Sequence, residues 1–172
     1  MRKRSARRFI VSWSAPKSFA RLAYYGNNAF VFVDSGGVKR AGRYQIIPVA
    51  GVAHLDSVAA TKAGPNYLFD ELRQRVARGP ITYHLFVQLA NPGDPTNDGS
   101  IVWPDDRKRV ELGTITLTAI APDNEALQRK LTYNPIYLTD GIQLSDDPFP
   151  QLRSAVYALS VAHRGSADNP TH

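Results

Sequence analysis

The chain has no cysteine, which excludes disulfides, thiolate-ligated haem, iron–sulfur clusters and cysteine nucleophiles. Any metal held by its side chains must therefore be held by oxygen or nitrogen. Long apolar runs are also missing. Phe9-Ile10-Val11 is followed by Ser12 and Ser14, short of the roughly 7–15 apolar residues of a signal peptide. Nothing approaches the roughly 18 of a membrane helix. No membrane span is expected, and the cytoplasm is the expected compartment. G-x-S-x-G, H-E-x-x-H, the Walker loop and G-x-G-x-x-G are absent as well, so the common hydrolase, zinc, nucleotide and dinucleotide motifs supply no function.

Acidic residues are absent from the first eight positions, where Arg2, Lys3, Arg4, Arg7 and Arg8 fall. Without those five, 16 basic residues face 15 acidic ones, so the net charge of +6 is mostly local. Such a run reads as a solvated end, and no nucleic-acid partner is expected. With 172 residues, 43% of them apolar, the chain is the size of one domain and can bury a core. Residues 1–17 read as a basic tail or the stub of something longer, and residues 166–172 as a disordered tail.

In between, Ser18 to Tyr25 reads as a short helical approach. Ala29 to Val33 reads as a strand, Asp34-Ser35-Gly36-Gly37 as a hairpin turn and Gly42 to Pro48 as the return strand. Asn66 is placed to cap a helix over Tyr67 to Ala77, with Leu68, Leu72 and Val76 four residues apart and Gly79 as the stop. The charges of that helix read as a solvated face. Ile81 to Ala90 and Gly113 to Ala119 read as strands, and Asn91 to Ser100 as a loop. Asp94, Asn97 and Asp98 do not meet the spacing of a calcium loop.

The richest stretch is Ser145 to Arg164. Ser145, Asp146 and Asp147 can accept from the free N–H groups of a first turn, and Pro148 and Pro150 suit positions that need no donor. A helix is expected from about Gln151 to Ala162. Leu152, Val156 and Leu159 fall on one side of it, and Arg153, Tyr157, Ser160 and Arg164 form an adjoining stripe. Arg153, one turn before Tyr157, brings a guanidinium beside the phenol oxygen, and a neighbouring cation favours a phenolate fit to bind a metal. Read alone, Arg-x-x-x-Tyr also suits an ordinary amphipathic helix with solvated arginines.

DGIQLSDDPFPQLRSAVY, Asp140 to Tyr157, resembles the proximal haem segment of the catalase family: Gly141, Ile142, Ser145, Asp147, Arg153 and Tyr157 match, and Arg164 follows seven residues after the tyrosine. Gln143 stands where the family has Glu. YYGNNAFVFVDSGGVKRAGRYQIIP resembles a stretch of the small catalase-related peroxidases, and IVWPDD their tryptophan-proline segment. The resemblance runs from about Phe19 to Arg164.

It implies an α+β fold, the second half of a catalase-like antiparallel β-barrel with flanking helices, in which residues 18–165 form a partial haem-binding domain. About eight strands close such a barrel, and the sequence shows four, so an exposed edge and self-association into a homo-oligomer are expected. It further implies haem iron as cofactor, Tyr157 as its ligand, Arg153 as the group that keeps the ligand ionised and Arg164 as a propionate anchor. Peroxide and a small electron donor would be the partners.

No catalytic residue is assigned. The family's distal histidine has no counterpart among His54, His84, His163 and His172. Two functions follow from the resemblance: a haem peroxidase reducing hydrogen peroxide or small organic peroxides, or an N-terminally truncated, catalytically inactive remnant that either keeps a haem-binding half without the distal histidine or binds nothing.

Overall fold

The computed structural model describes residues 14–166. In chain order it holds a 3-10 turn at Phe19–Arg21, strands β1 (Tyr24–Tyr25), β2 (Phe30–Val33) and β3 (Lys39–Pro48), and helices α1 (Ser57–Lys62) and α2 (Tyr67–Arg78). Strands β4 (Ile81–Leu89) and β5 (Arg109–Leu117), helix α3 (Asn124–Lys130), strand β6 (Ile142–Leu144) and helix α4 (Phe149–Ser166) follow. Six strands form an antiparallel sheet in the order β5-β4-β3-β2-β6, with β1 beside β3. Where four strands are expected the described residues hold six, because the short β1 and β6 borrow their register from longer neighbours and carry no alternation of their own. Among the described residues the sheet is not closed into a barrel.

The described residues fall into two compact units. One holds those up to Tyr25 with Tyr44–Val87 and Arg109–Ala119; the other holds Gly26–Arg43, Gln88–Lys108 and those from Ile120 onward.

In the first unit α2 carries the expected apolar stripe: Val76 is buried with Ala20, Ile81 and Tyr83, and Leu72, Ile46 and Ile115 pack on that cluster. Asn66 makes no side-chain cap bond, whereas Asp56 caps α1 by accepting from the Ala59 N–H at 2.8 Å. Part of the expected tail is tied down. Lys17 N–H donates to the Ala53 carbonyl at 2.9 Å and Leu55 N–H to that of Ala15 at 2.8 Å, so residues 14–17 are held by backbone bonds that no side-chain pattern announces. Residues 1–13, and residues 167–172 of the expected C-terminal tail, lie outside the described residues; Ser166 closes α4.

Tyr83, 4% exposed, donates its hydroxyl to the Phe19 carbonyl at 3.0 Å. Burial, reinforced by Tyr24 beside it, pushes its phenol up to about 12 from an ordinary 10.0. The folded chain holds this proton more tightly than the unfolded chain. The stability it contributes is therefore complete below about pH 10 and lost as pH rises through about 12, some 2–3 kcal/mol in all. Urea titrations across this range should show Tyr83→Phe losing less stability with pH than the parent; parallel curves would refute it.

In the second unit β2 pairs with β3 (Phe30↔Gly42) and with β6 (Phe30↔Leu144). The hairpin turn forms as expected: Asp34 Oδ1 accepts from the N–H groups of Gly36 and Val38, each at 2.9 Å. Gly141, just before β6, has φ +82, and a Cβ there would stand 3.3 Å from the Val33 carbonyl oxygen. That carbonyl belongs to the residue whose N–H bonds Gly141's own carbonyl at 2.8 Å, so the glycine admits β6 to the sheet edge.

Candidate functional site

The site is built at the start of α4. Ser145 Oγ donates to the Ala29 carbonyl at 2.8 Å, with the Thr96 carbonyl also within 3.1 Å. It accepts from the Asp147 N–H at 3.2 Å. Asp147, 4% exposed, uses both carboxylate oxygens: Oδ1 accepts from the first helical N–H, that of Phe149, at 2.9 Å. Oδ2 accepts from Asn28 Nδ2 at 2.8 Å. A buried carboxylate bonded on both oxygens avoids the cost of an unsatisfied charge and meets the positive end of the helix dipole. The helix consequently starts at Phe149, two residues before the expected Gln151, and runs to Ser166.

Asn28 continues the chain of bonds. Its Oδ1 accepts from Arg153 Nη1 at 3.2 Å, and Arg153 Nη2 donates to the Tyr157 hydroxyl at 2.6 Å. The guanidinium carbon lies 5.5 Å from the centroid of the Tyr157 ring. Arg153 is exposed and Tyr157 half-buried. A relay of charge-assisted bonds thus runs Asp147–Asn28–Arg153–Tyr157 and fixes the guanidinium against the phenol oxygen.

The one-turn spacing of Arg153 and Tyr157 brought them together as the sequence implied. Arg164 is separate from that relay: its Nη2 donates to the Leu131 carbonyl at 3.0 Å, fastening α4 to the end of α3. The apolar stripe of α4 is outward, with Phe149, Leu152, Val156 and Leu159 between 54% and 64% exposed. The helix is seated instead by Asp147, the buried Pro150 and its Tyr157 side. Sequence reasoning gave Asn28 no role, because nothing local marks it as the partner of an arginine 125 residues later.

Two histidines lie in the first unit. His54 forms an isolated bridge with Pro16, and His84 Nδ1 stands 2.6 Å from Glu111 Oε1. His163 lies on α4 itself, and His172 is outside the described residues.

The antiparallel sheet with its flanking helices is a fold shared with solved catalases. Solved structures agree: a fungal catalase superimposes with a TM-score of 0.77 at 20% identity over 87% of this chain and 32% of its own. Catalase A from Saccharomyces cerevisiae does so with a TM-score of 0.77 at 19% identity over 87% and 33%. The family model for catalase matches residues 5–170, and the chain belongs to the catalase family. It is similar to the catalase-related peroxidase of Synechococcus elongatus, 36% identical over 156 residues covering 91% of this chain and 46% of the relative. It is likewise similar to that of Mycolicibacterium paratuberculosis, 35% identical over 153 residues covering 89% and 49%. The chain spans about half the length of these relatives. Among the described residues no helix is long and apolar enough to cross a membrane.

Proposed function

We propose that this chain carries the haem-ligating side of an oxidoreductase acting on hydrogen peroxide or small organic peroxides, with Tyr157 as the iron ligand. The observation that carries the reading is the 2.6 Å bond from Arg153 to the Tyr157 hydroxyl. A guanidinium held there by Asn28 stands beside the oxygen that would bind ferric iron. Among the described residues no three His, Asp or Glu side chains converge on one point, so a bare ion has no cage. A macrocycle that brings its own nitrogen ligands needs only one protein oxygen, and Tyr157 offers it.

When bound, haem would supply the electron exchange with peroxide. The chain's own residues orient the ligand: Asp147 holds Asn28, Asn28 holds Arg153, and Arg153 holds the phenol oxygen. Arg164 is proposed to hold a propionate, which requires its guanidinium to exchange the exposed Leu131 carbonyl for the carboxylate, a stronger charge-assisted partner. An electron donor completes the proposed cycle.

A second reading, haem binding without turnover, draws on the histidines. His54 and His84 belong to the first unit, and His163 lies six residues past the ligand on the ligand's own helix.

Haemin titration followed by absorption tests the ligand set. Arg153→Leu removes a charge-assisted bond of about 1.5–3 kcal/mol at full strength, discounted here by its exposure, so haemin affinity is expected to fall roughly tenfold. An unchanged affinity would remove Arg153 from the site.

A further inference from the structure

We propose that Arg43, on β3, is the positioning residue that sets the Arg153–Tyr157 pair, acting through the loop that follows β4. The inference rests on the haem-ligating reading of Tyr157 for its functional meaning, but its geometry stands apart from that reading.

Arg43 is 5% exposed and forms no direct ion pair among the described residues. Its guanidinium is spent on backbone carbonyls: Nη1 donates to Ile101 at 2.6 Å, and Nη2 to Asp98 at 3.0 Å and Pro95 at 3.4 Å. Its guanidinium carbon lies 4.2 Å from the ring centroid of the buried Trp103. The indole Nε1 returns to the loop by donating to the Pro95 carbonyl at 2.9 Å. Among the described residues the Arg43 Nε has no hydrogen-bond partner. A buried charge with one donor left unpaired is costly to retain, and its retention here is matched to one result, the pinning of three carbonyls of a loop dense in proline, glycine and aspartate.

What the loop then touches is the start of α4. The Thr96 carbonyl is within 3.1 Å of Ser145 Oγ, and Thr96 Oγ1 donates to Asp146 Oδ1 at 2.9 Å. Ser145 Oγ accepts from the Asp147 N–H, and from Asp147 the relay through Asn28 and Arg153 reaches Tyr157. The negative charges of Asp147, Asp94 and Asp98 also favour the charged guanidinium against its burial. Lysine cannot replace this arginine in kind, because its point charge lacks the planar fork that spans three carbonyls.

The test is the ring Cζ resonance of Tyr157 in the full chain labelled with 13C-tyrosine, assigned by its disappearance in Tyr157→Phe. The parent and Arg153→Leu define the bonded and unbonded positions. Arg43→Leu should move the resonance most of the way to the unbonded position while circular dichroism stays unchanged, and Arg43→Lys should lie between. Arg75→Leu, which breaks the Arg75–Glu71 pair in the first unit, should leave it in place. Should Arg43→Leu fail to fold, Trp103→Phe replaces it and should move the resonance in the same direction. An unmoved resonance in the folded variants, or an equal movement in Arg75→Leu, overturns the proposal. Haemin binding that survives Tyr157→Phe would refute the ligand assignment alone and leave this result standing.

Discussion

Tyr157→Phe is expected to lower the affinity for haemin by at least about a hundredfold, or roughly 2.7 kcal/mol, and to abolish the absorption bands of a phenolate-bound ferric haem. The expected loss is large because one atom is removed on which the ligand set depends. The ring remains half-buried and its packing is kept, so the fold should survive. Arg153 then loses the acceptor of its 2.6 Å bond, but it is exposed and can turn to water at little cost. The change therefore separates ligation from stability better than any other in the site. Titration with haemin, monitored by absorption beside a circular dichroism control, decides it. An affinity and spectrum equal to those of the parent would mean that another residue binds the iron.

The second large effect concerns turnover. Moving a proton between the two oxygens of a peroxide calls for a positioned base, and such general acid–base help is typically about 10²–10⁴-fold in rate. In the unit that holds Tyr157, the one described histidine is His163, six residues along the same helix as the ligand. A residue on the helix that carries Tyr157 is poorly placed to reach a peroxide on the far side of a haem that Tyr157 would hold. The 172-residue chain loaded with haemin is accordingly expected to reduce hydrogen peroxide about 10²–10⁴-fold more slowly than a full-length relative. Initial rates measured side by side test this. Comparable rates would require His54, His84 or His163 to reach the reacting face, and single substitutions of the three would then identify which.

Much of the architecture was legible locally. The α2 stripe of Leu68, Leu72 and Val76, the Asp34–Gly37 hairpin and the β4 run rest on short-range periodicity and turn chemistry, and each formed within a residue or two of its expected place. Illegible were the elements that exist only because a neighbour does. β6 is three residues long and pairs because β2 offers an edge. The Pro16–His54 bridge and the bonds of Ala15 and Lys17 hold a stretch whose composition reads as tail. α1 and α3, six and seven residues long, are too short for a period to show.

For the site, the sequence by itself determined the Arg153–Tyr157 pair, since one helical turn between an arginine and a tyrosine is enough to bring a guanidinium to a phenol oxygen. It also determined that no thiolate can ligate a metal here. Only the tertiary structure decided what holds that pair. Asn28 is 125 residues from Arg153 and 119 from Asp147, and Arg43 is 58 from the carbonyl of Ile101. Contacts at such separations are set by strand pairing and loop closure, which depend on the whole chain. The same cause turned the Leu152, Val156 and Leu159 stripe outward: a periodic apolar face states that a helix has two sides, while the buried carboxylate of Asp147 and the packing of Pro150 select which side faces the protein.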